Sequence, residues 1–255
     1  MNKEISSNTE IFSTEVSKAV RIWEQISAES ETPIYLKGGA IRDSLINFIH
    51  GKNLKVKDLD LVVSNGFFKV VQVAQTHGLF IVERGKRKKL PMYQISGTFG
   101  LDADLGHLLA HPLDKSDISE QDLLRQDALL SDLNINTISY NLLTGQINDP
   151  LGAVKSIKLQ QVELVSERSL FLDPATILRC LKVAYKTGFT ITPESLEIIR
   201  KNAKLILKLQ DWFLIKNLDE VLKYATPGQV SASLESLGLI DIKPNLLKYL
   251  DEIKK

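Results

Sequence analysis

The feature of this sequence that most constrains its fold is a Gly-Gly pair between a short apolar run and a helical pattern, within Tyr35–Val63. The apolar run ends at Gly38 and Gly39, and the next apolar residues recur at helical spacing until Gly51, a residue typical of helix ends. Glycine lets a backbone approach a phosphate closely, and the first amide groups of a helix have no partner within it. This pattern therefore predicts a strand, a turn and a helix whose start can bind phosphate.

The same stretch continues with two aspartates that flank a leucine. Asp58-Leu59-Asp60 leads into an apolar run, which predicts a β-strand. Because side chains alternate between the faces of a strand, Asp58 and Asp60 are expected on one face and Leu59 on the other. Crowded carboxylates repel each other unless a cation lies between them, and Mg²⁺ prefers carboxylates together with phosphate oxygens. We therefore predict a Mg²⁺–triphosphate site here; the competing interpretation is an ordinary polar strand face.

Composition places the chain among ordinary soluble proteins and allows one large domain or two modest ones. Of its 255 residues, 44% are hydrophobic and 25% are charged, and no apolar run is long enough to span a bilayer. The net charge of +1 gives no global indication of nucleic-acid binding. The single cysteine, Cys180, excludes an internal disulfide and, with an N-terminus that lacks a secretory signal, predicts a cytoplasmic protein with no membrane partner.

The order of the predicted elements divides the chain into three segments. Residues 1–30 are expected to contribute a helix that packs on a head domain, because apolar residues recur at helical spacing after Ser13. Residues 31–155 combine predicted strands and helices and form that head. Residues 156–255 contain repeated helix start signals, among them Asp173-Pro174. The predicted architecture is an α/β head with a mixed sheet, followed by an all-α neck.

A second pair of aspartates lies on a later predicted strand. Asp102 and Asp104 alternate with apolar residues, on the second of two strands predicted around a turn at Gly97. Two metal ions need more than two carboxylates, so either aspartate is suited to be the third, while a solvated sheet face explains the other. His107 and His111 have a spacing that can flank a metal beside Asp104, but two exposed loop histidines are the favoured interpretation.

The segment from Arg84 to Lys89 has five basic residues in six. One interpretation is a solvated hairpin loop, which is what most charge runs are. The other is a basic loop that contacts RNA phosphates or a triphosphate. The RNA-binding residues would then be Arg84, Lys86, Arg87, Lys88 and Lys89.

Four blocks of residues together resemble a known family. The first is Gly38-Gly39-x-x-Arg42-Asp43 with Asp58-x-Asp60; the others contain Asp132, Asn136, Tyr140 and Asn141, then Ile147, Asp149, Pro150 and Gly152, then Asp173, Leu178, Arg179, Gly188 and Phe189. In this order they resemble the class II tRNA nucleotidyltransferase and bacterial poly(A) polymerase family, which has a polymerase-β-like head. The resemblance covers about Ile34 to Pro244, and four ordered blocks are far more specific than any one of them.

The resemblance implies a reaction and a set of residue roles. Members add CMP or AMP to RNA 3′ ends with release of pyrophosphate, which implies CTP or ATP, an RNA such as the tRNA 3′ end, and Mg²⁺. The implied catalytic carboxylates are Asp58 and Asp60, which are also the metal ligands, together with Asp102 or Asp104. The implied nucleotide-binding residues are Gly38, Gly39, Arg42, Asp132, Asn136, Asp173 and Arg179.

Departures from the family pattern fall at positions expected to bind the nucleotide. Leu130 and Ser131 replace two arginines ahead of Asp132, and Thr176 replaces an arginine of the neck motif. A single hydroxyl does not replace a planar bidentate donor. We expect an active RNA nucleotidyltransferase with altered nucleotide choice; the alternatives are a pseudoenzyme that binds RNA or a protein partner, and a transferase for an acceptor other than tRNA. A homo-oligomer or a partner chain is compatible with each.

Overall fold

The computed structural model of the chain describes residues 11–87, 90–108 and 118–253. The chain divides into two compact units. The first runs to Leu130 and includes Ile135–Val154, and the second comprises Ser131–Asn134 and the chain from Lys155 onward. Within the described ranges, no helix is long and apolar enough to cross a membrane.

One mixed β-sheet organises the first unit. Its strands are β1 (Ile34–Lys37), β2 (Asp58–Val63), β3 (Phe80–Arg87), β4 (Leu90–Thr98), β5 (Leu101–His107), β6 (Ser139–Asn141) and β7 (Ile147–Asn148). They lie in the order β3-β4-β5-β2-β1-β6-β7. β2 and β5 run parallel, while the other neighbouring strands are antiparallel. The predicted mixed sheet of the head is confirmed.

The helices described in the first unit are α1 (Thr14–Glu29), α2 (Gly38–His50), α3 (Phe67–Thr76) and α4 (Glu120–Leu129). The first two begin and end where the sequence signals predict. The Ser13 hydroxyl accepts from the Val16 amide at 3.4 Å and so caps α1. α2 starts at the Gly-Gly pair and ends at Gly51, which has a left-handed backbone.

The two faces of the sheet carry different side chains. Apolar residues that are at most 1% exposed form the buried face: Leu59, Leu61, Ile95, Ala103 and Leu105. α3 packs on this face, because the ring of Phe67 stacks on His107 at a centroid distance of 4.4 Å. The opposite face, here called the carboxylate face, carries Asp58, Asp60, Asp102, Asp104 and Gln94. α4 covers this face at β1 and the end of β2, where Leu123 and Leu124 pack with Tyr35 and Val62.

Two predictions for the β3–β5 region are wrong in detail. Strand β3 continues through Arg84 to Arg87, so these basic residues belong to a strand and not to a loop. Gly97 lies inside β4 at a shift in the strand register, and the turn is formed instead by Phe99 and Gly100, both at positive φ. A glycine inside a strand accommodates such a bulge, which explains why it resembled a turn signal.

The remainder of the chain is helical apart from one short pair of strands. Its helices are α5 (Ala153–Lys158), α6 (Arg168–Leu172), α7 (Thr176–Thr187), α8 (Pro193–Lys201), α9 (Asp211–Leu222), α10 (Pro227–Ser236), α11 (Leu239–Ile242) and α12 (Asn245–Ile253). The two-residue strands β8 (Gln161–Val162) and β9 (Thr190–Ile191) pair in parallel. α7 starts at Thr176, two residues later than the start predicted at Pro174, because the Thr176 and Ile177 amides donate to the carbonyls three residues earlier and form a tighter turn. The Asp173 carboxylate nevertheless accepts from the Ala175 amide at 3.0 Å.

Candidate active site

Four aspartates lie side by side on the carboxylate face. The register of the parallel pair β2 and β5 places Asp58 beside Asp102 and Asp60 beside Asp104. Residues paired across neighbouring strands point to the same face, so all four carboxylates project from it. The prediction that Asp58 and Asp60 share a face is therefore confirmed. Neighbouring strands are only about 4.8 Å apart, which crowds these like charges together.

The crowding is felt most strongly at Asp60. Its pKa is raised from 3.8 to about 6, first by desolvation and then by the charges of Asp58 and Asp104. The cations of Lys37 and Arg42 oppose this shift. The Asp60 side chain still reaches solvent, so its enclosure by protein is partial. A carboxylate in this environment is a group that an added cation would stabilise.

Gly38 brings the start of α2 against the Asp60 carboxylate. Its φ is +66°, and a Cβ placed on it would lie 2.5 Å from Asp60 Oδ2. Glycine is thus required both by the backbone conformation and by the close approach. The residue before it, Lys37, makes no side-chain bond that caps the helix. The first turn of α2 therefore presents amide groups beside the carboxylates, an arrangement suited to a phosphate that shares a cation with them.

The structure distinguishes Asp102 from Asp104, which the sequence left as alternatives. Asp102 accepts a hydrogen bond from Gln94 Nε2 at 3.2 Å. Asp104 lies 3.7 Å from Arg84 Nη1 and contributes to the raised pKa of Asp60. The pKa of Asp104 is itself raised, chiefly by desolvation and further by Asp58 and Asp102, although Arg84 opposes the shift. Electrostatically, Asp104 is the closer partner of Asp60.

A buried ion pair next to the site was missed by the sequence interpretation. Lys37 is paired with Asp60 across β1 and β2, and its ammonium contacts the carboxylate of Asp127 on α4. The side chains of Lys37 and Asp127 are 12% and 1% exposed. Two signals pointed to it: a lysine that interrupts the apolar run before Gly38, and an aspartate at helical spacing from buried Leu123.

Arg42 and Asn136, both predicted to bind nucleotide, contact each other although 94 positions apart. Arg42 Nη1 donates to Asn136 Oδ1 at 2.7 Å, while Nε and Nη2 each lie 2.8 Å from Asp43 Oδ1. Arg42 is 6% exposed and Asp43 is 1% exposed. This network lies under the start of α2, since a Cβ on Gly39 would be 3.6 Å from Arg42 Nη2.

The other predicted nucleotide-binding residues form a separate cluster in the second unit. Arg179 forms an ion pair with Asp173, and its Nη2 lies 3.3 Å from the hydroxyl of Thr176. Arg179 Nε also lies 3.4 Å from Asp132 Oδ2. One guanidinium thus holds both predicted aspartates and the threonine that stands where the family pattern has arginine.

The remaining predicted residues are the two histidines and the basic run. His107 projects from the buried face onto Phe67, so it neither lies in a loop nor flanks a metal with Asp104. Of the basic run, Arg84 contacts Asp104. The side chains of Lys86 and Arg87, and the whole of Lys88, Lys89 and His111, lie outside the described residues.

The donor set on the carboxylate face suits a hard cation. In the described part of the chain, no three His, Cys, Asp or Glu side chains already surround one point where a metal ion would fit. Mg²⁺ does not need such a cage, because it commonly binds through one or two carboxylates plus water and substrate phosphates. Asp58 and Asp60 supply two carboxylates beside the uncapped start of α2, so the residues present fit Mg²⁺ held jointly with a phosphate ligand.

Comparison with known proteins identifies relatives of this arrangement. Residues 34–163 match the family described as "Poly A polymerase head domain". The CC-adding tRNA nucleotidyltransferase of Synechocystis is 24% identical over 228 residues, covering 81% of this chain and 50% of that protein. The multifunctional CCA protein of Neisseria gonorrhoeae is 31% identical over 182 residues, covering 66% of this chain and 38% of its own length.

Solved structures show the same fold. A CCA-adding enzyme in complex with CTP superposes with a TM-score of 0.75 at 20% identity, covering 91% of this chain and 54% of the other. The Thermotoga maritima CCA-adding enzyme complexed with tRNA gives a TM-score of 0.74 at 19% identity, covering 91% and 53%. The chain spans half or less of the length of the curated relatives named above.

Proposed function

The chain belongs to the poly A polymerase head domain family, and from this premise we propose that it is an RNA nucleotidyltransferase. The proposed reaction transfers a nucleoside monophosphate from CTP or ATP to the 3′-hydroxyl of an RNA, with tRNA as the proposed acceptor, and releases pyrophosphate. The single observation that carries this proposal is the crowding of Asp58, Asp60 and Asp104 beside the start of α2, inside the matched segment. Relatives that add CC, A or CCA to tRNA support it.

We assign the metal-binding role to Asp58 and Asp60, with Asp104 as the third carboxylate. When bound, Mg²⁺ would increase the acidity of the attacking hydroxyl and neutralise charge on the triphosphate. Asp58 and Asp60 would hold the cation beside the start of α2, and Asp104 would add a third negative charge from β5. Asp102 is assigned a positioning role, because Gln94 already donates to it.

The start of α2 is assigned to the triphosphate. Its first-turn amides offer unpaired donors, and its dipole favours negative charge. Arg42 and Lys37 add two cations within the electrostatic reach of Asp60. Arg42 is held by Asp43 and Asn136 beneath Gly39. We therefore assign it two roles: it fixes the first turn of α2, and its charge makes the potential there more positive.

Asp132, Asp173 and Arg179 are assigned to nucleotide selection. Arg179 presents a guanidinium beside Asp173, and together they supply donors and an acceptor that can match the edge of a base. Because Thr176 lacks a guanidinium, this one arginine must serve both aspartates. We therefore expect a nucleotide preference that differs from that of relatives with the full family motif.

A labelled-nucleotide assay tests the proposal. The full chain is incubated with Mg²⁺, one labelled NTP at a time and tRNA that lacks its terminal CCA, and is compared with Asp58→Ala/Asp60→Ala. The expected result is 3′ extension with CTP, ATP or both by the wild type only. No extension with any of the four NTPs, together with no Mg²⁺-dependent nucleotide binding, would exclude this function and favour a pseudoenzyme. Equal incorporation of all four would show that Arg179 and Asp173 do not select the base.

A further inference from the structure

The carboxylate face is covered by protein on one side and open on the other. α4 packs over Tyr35 at the β1 side, whereas the same face of β3 is exposed to solvent. Two large apolar side chains project there into solvent: Phe80 is 70% exposed and Val82 is 45% exposed. An exposed apolar surface on an edge strand is costly in water and indicates a surface that binds a partner.

These side chains share a face with the proposed catalytic carboxylates. Cross-strand partners run in one row from Val82 through Gln94 and Asp104 to Asp60. Phe80 lies two residues earlier on β3 and is paired with Ser96, so it also points to the carboxylate face. The row spans three interstrand spacings, roughly 14 Å in all. The exposed ring thus lies on the same surface as the proposed catalytic carboxylates. Its distance from them is longer than one nucleotide.

The charges beside the ring suit an anionic chain. Arg84, on the same strand, is 55% exposed in its side chain and lies 3.7 Å from Asp104. It begins a run in which five of six residues are basic. An exposed aromatic ring with an exposed arginine on the same strand is a combination that binds single-stranded nucleic acid, because every base has a π-face and every link has a phosphate.

We propose that Phe80, with Val82 beside it, forms a stacking platform for a base of the acceptor RNA upstream of its 3′-terminal nucleotide. This rests on the proposed function, and it adds the surface on β3 and β4 that positions the acceptor strand. The ring takes one base on its face, Val82 packs against the edge of that base, and Arg84 lies next to the backbone phosphate. The terminal hydroxyl then reaches the carboxylates about 14 Å away.

The test measures RNA binding by the full chain without catalysis. A 5′-labelled single-stranded RNA of ten nucleotides is titrated by fluorescence anisotropy in EDTA and without NTP. Phe80→Ala is compared with Phe80→Trp, which keeps a stacking ring. Phe68→Ala is the matched control, because Phe68 is 65% exposed on α3, the helix that packs on the opposite face. Thermal melting confirms that each variant is folded.

The proposal predicts that Phe80→Ala weakens binding about tenfold, the effect of losing one stacked base. Phe80→Trp should bind within about twofold of the wild type, and Phe68→Ala should bind like it. An RNA with a single abasic nucleotide should lose the same factor at one internal position, and that loss should vanish in Phe80→Ala. A Phe80→Ala affinity equal to that of Phe68→Ala would overturn the proposal, as would an abasic effect that is unchanged in Phe80→Ala.

Two further outcomes distinguish RNA binding at Phe80 from self-association and from the proposed transfer activity. If Phe80→Ala leaves RNA binding intact but changes the sedimentation coefficient of the protein, the surface binds a second copy and the RNA proposal is wrong. If the labelled-nucleotide assay shows no transfer while the abasic and Phe80 effects coincide, the proposed activity fails and the RNA platform stands.

Discussion

Aspartates form both the carboxylate face and the cluster around Arg179, but the electrostatic environments of the two groups differ. On the carboxylate face, Asp58, Asp60 and Asp104 crowd together, and the pKa of Asp60 rises to about 6. In the second unit, Asp132 and Asp173 are both held by the guanidinium of Arg179. In the first group the nearby cations do not offset the crowding of the carboxylates, whereas in the second both aspartates contact one guanidinium directly. A site that is incomplete without a ligand is the one expected to do chemistry.

Local geometry explains the difference. Parallel strands bring residues of one face within about 5 Å of each other, so an Asp-x-Asp strand next to another necessarily crowds like charges. In a helix, neighbours on one face are three or four residues apart. Thr176 and Arg179 have this spacing at the start of α7. The Arg179 side chain can therefore contact Asp173, which directly precedes the helix, and Asp132, which lies earlier in the chain.

The largest expected effect is on transfer by the carboxylate face. Asp58→Asn and Asp60→Asn should each lower kcat about 10³-fold or more, ~4 kcal/mol, because either change removes a charge that holds the cation. Asp102→Asn should lower it by no more than about tenfold, since that carboxylate already accepts from Gln94. Single-turnover incorporation of labelled NTP measures each rate. A larger loss in Asp102→Asn than in Asp104→Asn would reverse the roles assigned to these two residues.

The next effect is on stability, at the network beneath α2. Arg42→Ala should lower the free energy of unfolding by about 3–5 kcal/mol, because Asp43, 1% exposed, would lose both contacts with the Arg42 guanidinium while staying buried. Urea denaturation of the full chain measures the change. Arg84→Ala, which removes an exposed arginine from a longer contact with Asp104, serves as the control and should cost less than about 1 kcal/mol. Equal losses in both variants would show that the Arg42 network does not support the fold.

Substitutions at two glycines distinguish the effect of backbone strain from the effect of disturbing the Asp60 carboxylate. Gly38→Ala and Gly51→Ala each force alanine into a left-handed conformation, at +66° and +63°, which costs about 1–2 kcal/mol. Only Gly38→Ala also places a Cβ 2.5 Å from Asp60 Oδ2, while nothing lies within 4 Å of the Gly51 position. Transfer activity should therefore fall about 100-fold in Gly38→Ala and stay near the wild-type level in Gly51→Ala. If the two variants had the same melting temperature and the same transfer activity, the close approach of Gly38 to Asp60 would not matter for the reaction.

The smallest expected effect is the pH dependence of stability caused by Asp60. Its folded-state pKa is raised from 3.8 to about 6, so its contribution to stability is complete below pH 4 and is lost as pH rises through 6. In EDTA, the unfolding free energy of the wild type should fall relative to Asp60→Asn between pH 5 and pH 7.5, by about 1 kcal/mol after allowance for solvent access. Parallel curves for the two proteins would remove the evidence for electrostatic crowding at Asp60.

Much of the head was predictable because its signals are local. Ser13, Gly51 and the alternation around Asp58 and Asp60 act through the nearest few residues, and the structure confirms each of them. Gly97 misled the hairpin prediction because a bulge and a turn both favour glycine, and the sequence alone does not distinguish them.

Long-range contacts were not predictable from spacing. The pairing of Lys37 with Asp127 and of Arg42 with Asn136 depends on which elements the fold brings together. The same holds for His107: strand register places it on the buried face against Phe67, which no local pattern indicates. The contacts that distinguish Asp102 from Asp104, with Gln94 on β4 and Arg84 on β3, were likewise not indicated by any local pattern.

The most direct test of the central claim is equilibrium binding of Mn²⁺, a hard oxygen-seeking substitute for Mg²⁺ that electron paramagnetic resonance detects. Wild type, Asp60→Asn and Asp173→Asn are titrated with Mn²⁺ at pH 7.5 in the presence of CTP. The account predicts that Asp60→Asn loses the bound ion and that Asp173→Asn retains it, because the cations near Asp60 do not offset its crowding by Asp58 and Asp104, whereas Asp173 is already paired with Arg179. Retention of Mn²⁺ by Asp60→Asn, or its loss in Asp173→Asn alone, would contradict the account.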